Sequence, residues 1–169
     1  MNYEAESGAE TTISAPSSSA GIDQLLNVDN EGWYLSWLDW LCDQLPNLKA
    51  ALVISGDKPG DFQSRAIWPR DDRRHDQLLL DAAATTLNKK TPLITPLDDA
   101  LHQIGSYPVF VEQEPRAVVT VLLVAKDETD LQNTLGVIEY CCGWLELKLA
   151  RTKLSEFNQQ NTRQQVVIE

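Results

Sequence analysis

Side chains able to do covalent or acid–base chemistry are few in this chain of 169 residues, and their spacing builds no catalytic set. A hydrolase or transferase needs a nucleophile, a base and a group that orients the base. Only two histidines are present, His75 and His102. His75 falls in the first turn of a predicted helix and reads as a solvated helix residue. His102 falls in a predicted loop and reads as a surface or pocket-rim residue. The chain is therefore read as non-enzymatic.

Metal, redox and nucleotide chemistry fare no better. The pairs Asp71–Asp72 and Asp98–Asp99 stand before predicted helices, where carboxylates cap free N–H groups, and no zinc or calcium ligand spacing accompanies them. No metal is expected. Cys141 and Cys142 are adjacent and sit mid-helix without the cationic setting that makes a thiolate, so they read as small packing residues. With Cys42 they form no disulfide framework, which fits a reducing compartment. Gly56 and Gly60 flank a turn but lack the following Lys-Ser or Lys-Thr of a phosphate loop.

Charge narrows the partners. The formal net charge is -11, and the only local basic cluster, Arg70, Arg73 and Arg74, is diluted by Asp71 and Asp72. Such a chain repels phosphate backbones and anionic headgroups. Nucleic acid is excluded as a partner, and no apolar run reaches the roughly 20 residues that span a bilayer. The N-terminus has neither a basic nor an apolar stretch of the secretory kind, so a cytoplasmic location is expected. With 43% hydrophobic and 23% charged residues, the chain has the composition of one globular domain.

The elements follow from periodicity. Residues 1–27, rich in Ser, Ala, Glu and Thr, read as a disordered tail. Asp29 or Asn30 then caps a helix with a broad apolar face, Trp33, Tyr34, Trp37, Leu38, Trp40, Leu41 and Leu45, which Pro46 stops. Residues 49–55 and 63–68 predict two strands joined as a hairpin across a Gly/Pro/Asp turn. Asp71 or Asp72 is expected to cap a second helix that ends at Lys89 and Lys90. A short extended piece at 92–95 and a short helix or loop at 97–104 lead into a strand at 107–113. A turn at 112–115 then opens the run AVVTVLLVA, apolar on both alternating sets, which reads as the central strand.

The last helix, capped by Asp127 with Asp130 three residues on, is the most informative element. Leu131, Leu135, Ile138, Cys142, Leu145, Leu149 and Thr152 recur at four and three residues, the seam of a helix packed on one core. A second row, Val137, Tyr140, Trp144, Leu147, Leu154 and Phe157, lies largely off that seam, where a helix with a single core carries charge. Residues 127–157 span about 45 Å, longer than a small domain is wide, so the distal end projects or pairs. Homodimerisation is expected through Trp33, Trp37 and Trp40 of the first helix and Trp144, Leu147, Leu154 and Phe157 of the last.

The element order, with AALVIS, SRAIWP, KKTPLITP, SYPVFVEQ and AVVTVLLVAK, resembles a GAF domain across residues 28–157. GWLELKLAR adds a likeness to the GAF modules of bacterial proteins that also carry a membrane-fusion (type I secretion adaptor) region. The resemblance implies an α+β, profilin/PAS-like fold, a central antiparallel sheet flanked by helices, and a sensory or regulatory module that dimerises through its terminal helices. It also implies a small-molecule pocket between the sheet and the segment from 68 to 105, for which Trp68, His102 and Tyr107 are the candidates. Asn88, Lys89 and Lys90 do not continue into the Asn-Lys-Phe-Asp-Glu signature of cyclic-nucleotide binders, and no cysteine falls in the pocket loops where bilins attach, so no cofactor is assigned. The alternative is a scaffolding domain whose pocket is filled by its own side chains, such as Trp68 and Tyr107. Residues 158–169 read as a helical linker toward a downstream region, with the chain a fragment of a longer protein.

Overall fold

Two apolar faces on one sheet organise the protein, whose structure is a computed structural model describing residues 30–98 and 101–168. The elements run α1 (Asn30–Gln44), β1 (Leu48–Ser55), β2 (Gln63–Trp68), α2 (Asp76–Lys89), β3 (Leu93–Pro96), β4 (His102–Val111), β5 (Glu114–Val124) and α3 (Glu128–Ile168). The strands form one sheet in the order β2-β1-β5-β4-β3, antiparallel throughout. The run AVVTVLLVA is thus the central strand, as its double-sided apolarity predicts. Its alternation sends Ala117, Val119, Val121 and Leu123 to one face and Val118 and Leu122 to the other. The reading of residues 1–27 lies outside the described residues, as does Asp99.

Helices α1 and α3 cover the first face. Trp33, Trp37, Leu38, Leu41 and Cys42 of α1 meet Leu131, Leu135, Ile138, Cys142 and Leu145 of α3 over Ala51 and Val53 of β1. The indole of Trp37 donates from Nε1 to the Cys141 carbonyl at 3.1 Å, which pins α1 to the middle of α3. Helix α2 covers the second face, packing Leu79 and Ala83 against Leu52, Ile54, Ile104 and Leu122.

Local chemistry sets the boundaries. Asp127 accepts the Asp130 N–H at 2.8 Å, and Asp130 accepts the Lys126 N–H at 3.0 Å, so two donors at the start of α3 are satisfied reciprocally. The side chain of Asn47 donates to the Val124 carbonyl and to Thr134 Oγ1, both at 2.9 Å, while its own carbonyl accepts the Val124 N–H at 3.0 Å. One turn residue thereby ties β1, β5 and α3 together. The β4–β5 hairpin turns on Glu112 and Gln113 at φ 55° and 70°, two successive left-handed residues whose twist matches that of the strands.

Two expectations are corrected. The second helix starts at Asp76 with His75 in the capping position, because Asp72 instead holds the Arg74 side chain at 2.8 and 2.9 Å. Of the stretch expected to be a short helix or loop, residues 102–104 are strand. Strand β4 begins at His102, paired with Val124, since extension on β5 and β3 satisfies backbone groups that a loop would leave to water. The last helix runs to Ile168, 41 residues or about 60 Å.

Candidate functional site

The candidate pocket residues do not converge. Trp68 and Tyr107 both pack on the α1/α3 face, opposite the segment that was expected to close a pocket over them. The Tyr107 hydroxyl is buried without a hydrogen-bond partner among the described residues, and burial raises its pKa, with Glu139 adding to the effect. His102 is half-buried at the start of β4, where it pairs with Val124 at the far end of that strand from the β4–β5 turn.

The candidate interface residues divide in two. Trp33 and Trp37 are 1% and 0% exposed, stacked with centroids 6.3 Å apart inside the protein's own core, so they have no surface to offer a partner. Their indoles are large enough to fill the gap between α1, α3 and the sheet, a demand that the apolar count of a helix does not disclose. Trp40 and Trp144 are half-buried, Trp144 meeting Tyr140 edge-on at 6.4 Å. Leu147, Leu154 and Phe157 are 42%, 60% and 58% exposed, and Tyr140 is 61% exposed. The seam from Leu131 to Leu145 is buried as predicted, so α3 carries one buried edge and one wet apolar edge.

A cleft of about 700 Å³ opens beside this helix, where it passes the tips of the β1–β2 and β4–β5 hairpins. Its floor holds a hydrogen-bond relay. Arg65 Nε donates to Ser55 Oγ at 2.9 Å, and Ser55 Oγ donates to the Tyr34 hydroxyl at 3.0 Å. Gly56 shapes the turn beside it, because a Cβ there would lie 2.9 Å from the backbone of Asp61 and Phe62. Arg116 reaches across to donate to the Asp57 carbonyl. From α3, Lys148 lies over the Trp33 ring at 5.8 Å, and Lys153 pairs with Glu112, which holds the Glu112 carboxyl below its usual range. No spacing in the sequence links Arg65, Arg116 and Lys148; only the strand order β2-β1-β5 and the passage of α3 over it bring them together.

The thiols stand apart from this cleft's chemistry. Burial pushes Cys141 up to about 12 and raises Cys42 and Cys142 as well, so all three are held protonated. Among the described residues no group of His, Cys, Asp and Glu is arranged to hold a metal ion. No helix among them is long and apolar enough to cross a membrane.

No family model and no curated protein matches the chain. Solved structures do. The nlh2 GAF domain of A. aeolicus, solved in an inactive state, superposes with a TM-score of 0.61 at 14% identity over 77% of this chain and 91% of that one. A GAF domain from Pseudomonas syringae pv. tomato, assigned to a sensor histidine kinase, gives 0.56 at 12% identity over 82% and 87%. The GAF domain of an Acinetobacter phosphoenolpyruvate-protein phosphotransferase gives 0.53 at 9% over 83% and 97%. The chain has the α+β GAF fold.

Proposed function

We propose that this chain is a regulatory GAF module without chemistry of its own, which self-associates through α3 and reports small-molecule binding along that helix. The observation that carries the reading is the wet apolar row on α3. Tyr140, Trp144, Leu147 and Leu154 follow one another at four, three and seven residues, a heptad edge, on a helix whose opposite edge is already committed to the core. A second copy of the same chain is the partner that fits, because a self-complementary edge along a helix pairs by a two-fold axis. Trp40 flanks this surface from α1, whereas Trp33 and Trp37 are spent within the fold.

The settings of the structural neighbours, one assigned to a sensor histidine kinase and one in a phosphotransferase, support a regulatory role. Three thiols held protonated in the core suit a cytoplasmic location, and the GWLELKLAR likeness supports a place beside membrane-fusion adaptors. Sedimentation of the wild type against Trp144→Glu with Leu154→Glu tests self-association, and a wild type that stays monomeric at high micromolar concentration overturns it. A second reading, a scaffold with a filled pocket, draws on the close packing of Leu79 and Ala83 against Leu52, Ile104 and Leu122 beneath α2. Native mass spectrometry of protein purified from its host separates the two, since a scaffold emerges without a bound metabolite.

A further inference from the structure

We propose that the cleft between the two hairpin tips and α3 binds a small organic oxyanion, a carboxylate- or phosphate-bearing metabolite, held by Arg65, Arg116 and Lys148. This rests on the small-molecule part of the function proposed above and is independent of self-association. Charge is the first argument. In a chain of net charge -11, this cleft gathers Arg65, Arg116, Lys148 and Lys153. Asp57 and Glu156 also line it, and Glu112 engages Lys153 from its rim. The cations still outnumber these carboxylates by four to three, against a chain-wide ratio of 14 basic to 25 acidic residues.

Unsatisfied donors are the second argument. Buried polar groups are nearly always hydrogen-bonded, and each exception calls for a physical reason. Two of the four buried polar side-chain atoms without a partner among the described residues belong to residues of this cleft, Trp33 Nε1 and Arg116 Nε. Both are N–H donors closed off from solvent, so an acceptor in the cleft reaches them only when the side chains that cover them shift. The relay adds donors of the same kind. Arg65 spends Nε on Ser55, which leaves its terminal nitrogens to face a ligand, and Tyr34 accepts from Ser55, which leaves its own hydroxyl hydrogen to donate.

Geometry is the third. Arg65 and Arg116 stand on strands two apart in the sheet and about two residues out of register, roughly 12 Å between backbones at the usual strand spacings. Both side chains line the cleft, and the planar fork of a guanidinium suits two-point recognition of a carboxylate or phosphate. A volume of about 700 Å³ admits a metabolite and excludes a folded partner. Because Lys148, Thr152 and Lys153 of α3 form one wall, the occupant touches the helix directly and competes with Glu112 for Lys153.

The test is titration of the whole chain with citrate, pyrophosphate and inorganic phosphate, followed by nitrogen–proton NMR, with sodium chloride at matched ionic strength as the blank. We expect a saturable shift of the Trp33 indole and Arg116 Nε–H signals with at least one probe. Arg65→Gln with Arg116→Gln weakens that binding roughly tenfold or more, about 1.4 kcal/mol per decade. Lys49→Gln, at the other end of β1, leaves it unchanged. If the double variant loses its circular dichroism, Lys148→Gln is read in its place with the same expectation. No saturable shift beyond the salt blank, or equal affinity in the variants, overturns the site. A saturable shift in a chain that sediments as a monomer leaves the site standing and removes self-association alone.

Discussion

Substituting Leu154 with Glu is the sharpest test of the helix edge, and its size follows from exposure. Leu147, Leu154, Phe157 and Tyr140 each leave about half their surface in water. Full burial of such a side chain contributes roughly 1.5 to 3 kcal/mol, so closing the remaining half contributes about 1 kcal/mol each. Four residues on two protomers give on the order of 8 kcal/mol, set against an association cost of about 4 to 15 kcal/mol. At the low end of that cost the net is about 4 kcal/mol, a Kd near 1 mM, so a micromolar dimer needs about 4 kcal/mol more from burial of the half-exposed Trp144 and Trp40. Leu154→Glu removes about 1 kcal/mol on each protomer and brings two carboxylates toward a drying surface, a loss of at least about 3 kcal/mol, or roughly 100-fold in Kd. Leu154 lies beyond the core, so the melting temperature of dilute protein stays unchanged. Sedimentation velocity across a concentration series measures the shift. Equal dissociation constants for variant and wild type would refute the assignment of this edge.

Other consequences are separable. Arg151 interrupts the same heptad edge, so Arg151→Leu should tighten self-association about tenfold in the same assay, since a polar residue on such an edge costs stability. Asn47→Ala removes two side-chain hydrogen bonds and should cost about 1 to 3 kcal/mol, read by urea unfolding with an unchanged m-value. The thiols set an alkaline limit. Their folded pKa values lie above the ordinary 9.0, with Cys141 near 12, so their contribution is complete below pH 9 and is lost as pH climbs toward 12. The slope is up to about 1.4 kcal/mol per pH unit for each thiol. Iodoacetamide at pH 8 should accordingly leave native protein unlabelled and label all three cysteines after denaturation, as mass spectrometry would count.

Much of this fold is legible in residue order because its signals are local. The apolar run of β5, the Asp127–Asp130 cap and the three-four seam of α3 each act within one element, and each stands where periodicity puts it. The failures arise where one element's residues are claimed by another. Asp72 reads as a cap until Arg74 takes it. Trp33 and Trp37 read as surplus aromatic surface until the gap beneath α1 and α3 is seen to need them. The cleft is the extreme case, because Arg65, Arg116 and Lys148 come from three distant segments that share only a corner of the sheet.

The helix α3 joins two kinds of support in one rod. Its first half is held by the sheet, while residues 154–160 are all exposed, and a helical segment with no core beneath it is marginal in water. The proposed pairing along the wet edge would supply what the fold does not. Secondary structure and assembly would then be a single equilibrium in this segment, and the helix content of the protein is expected to rise with its concentration along the same curve that populates the dimer.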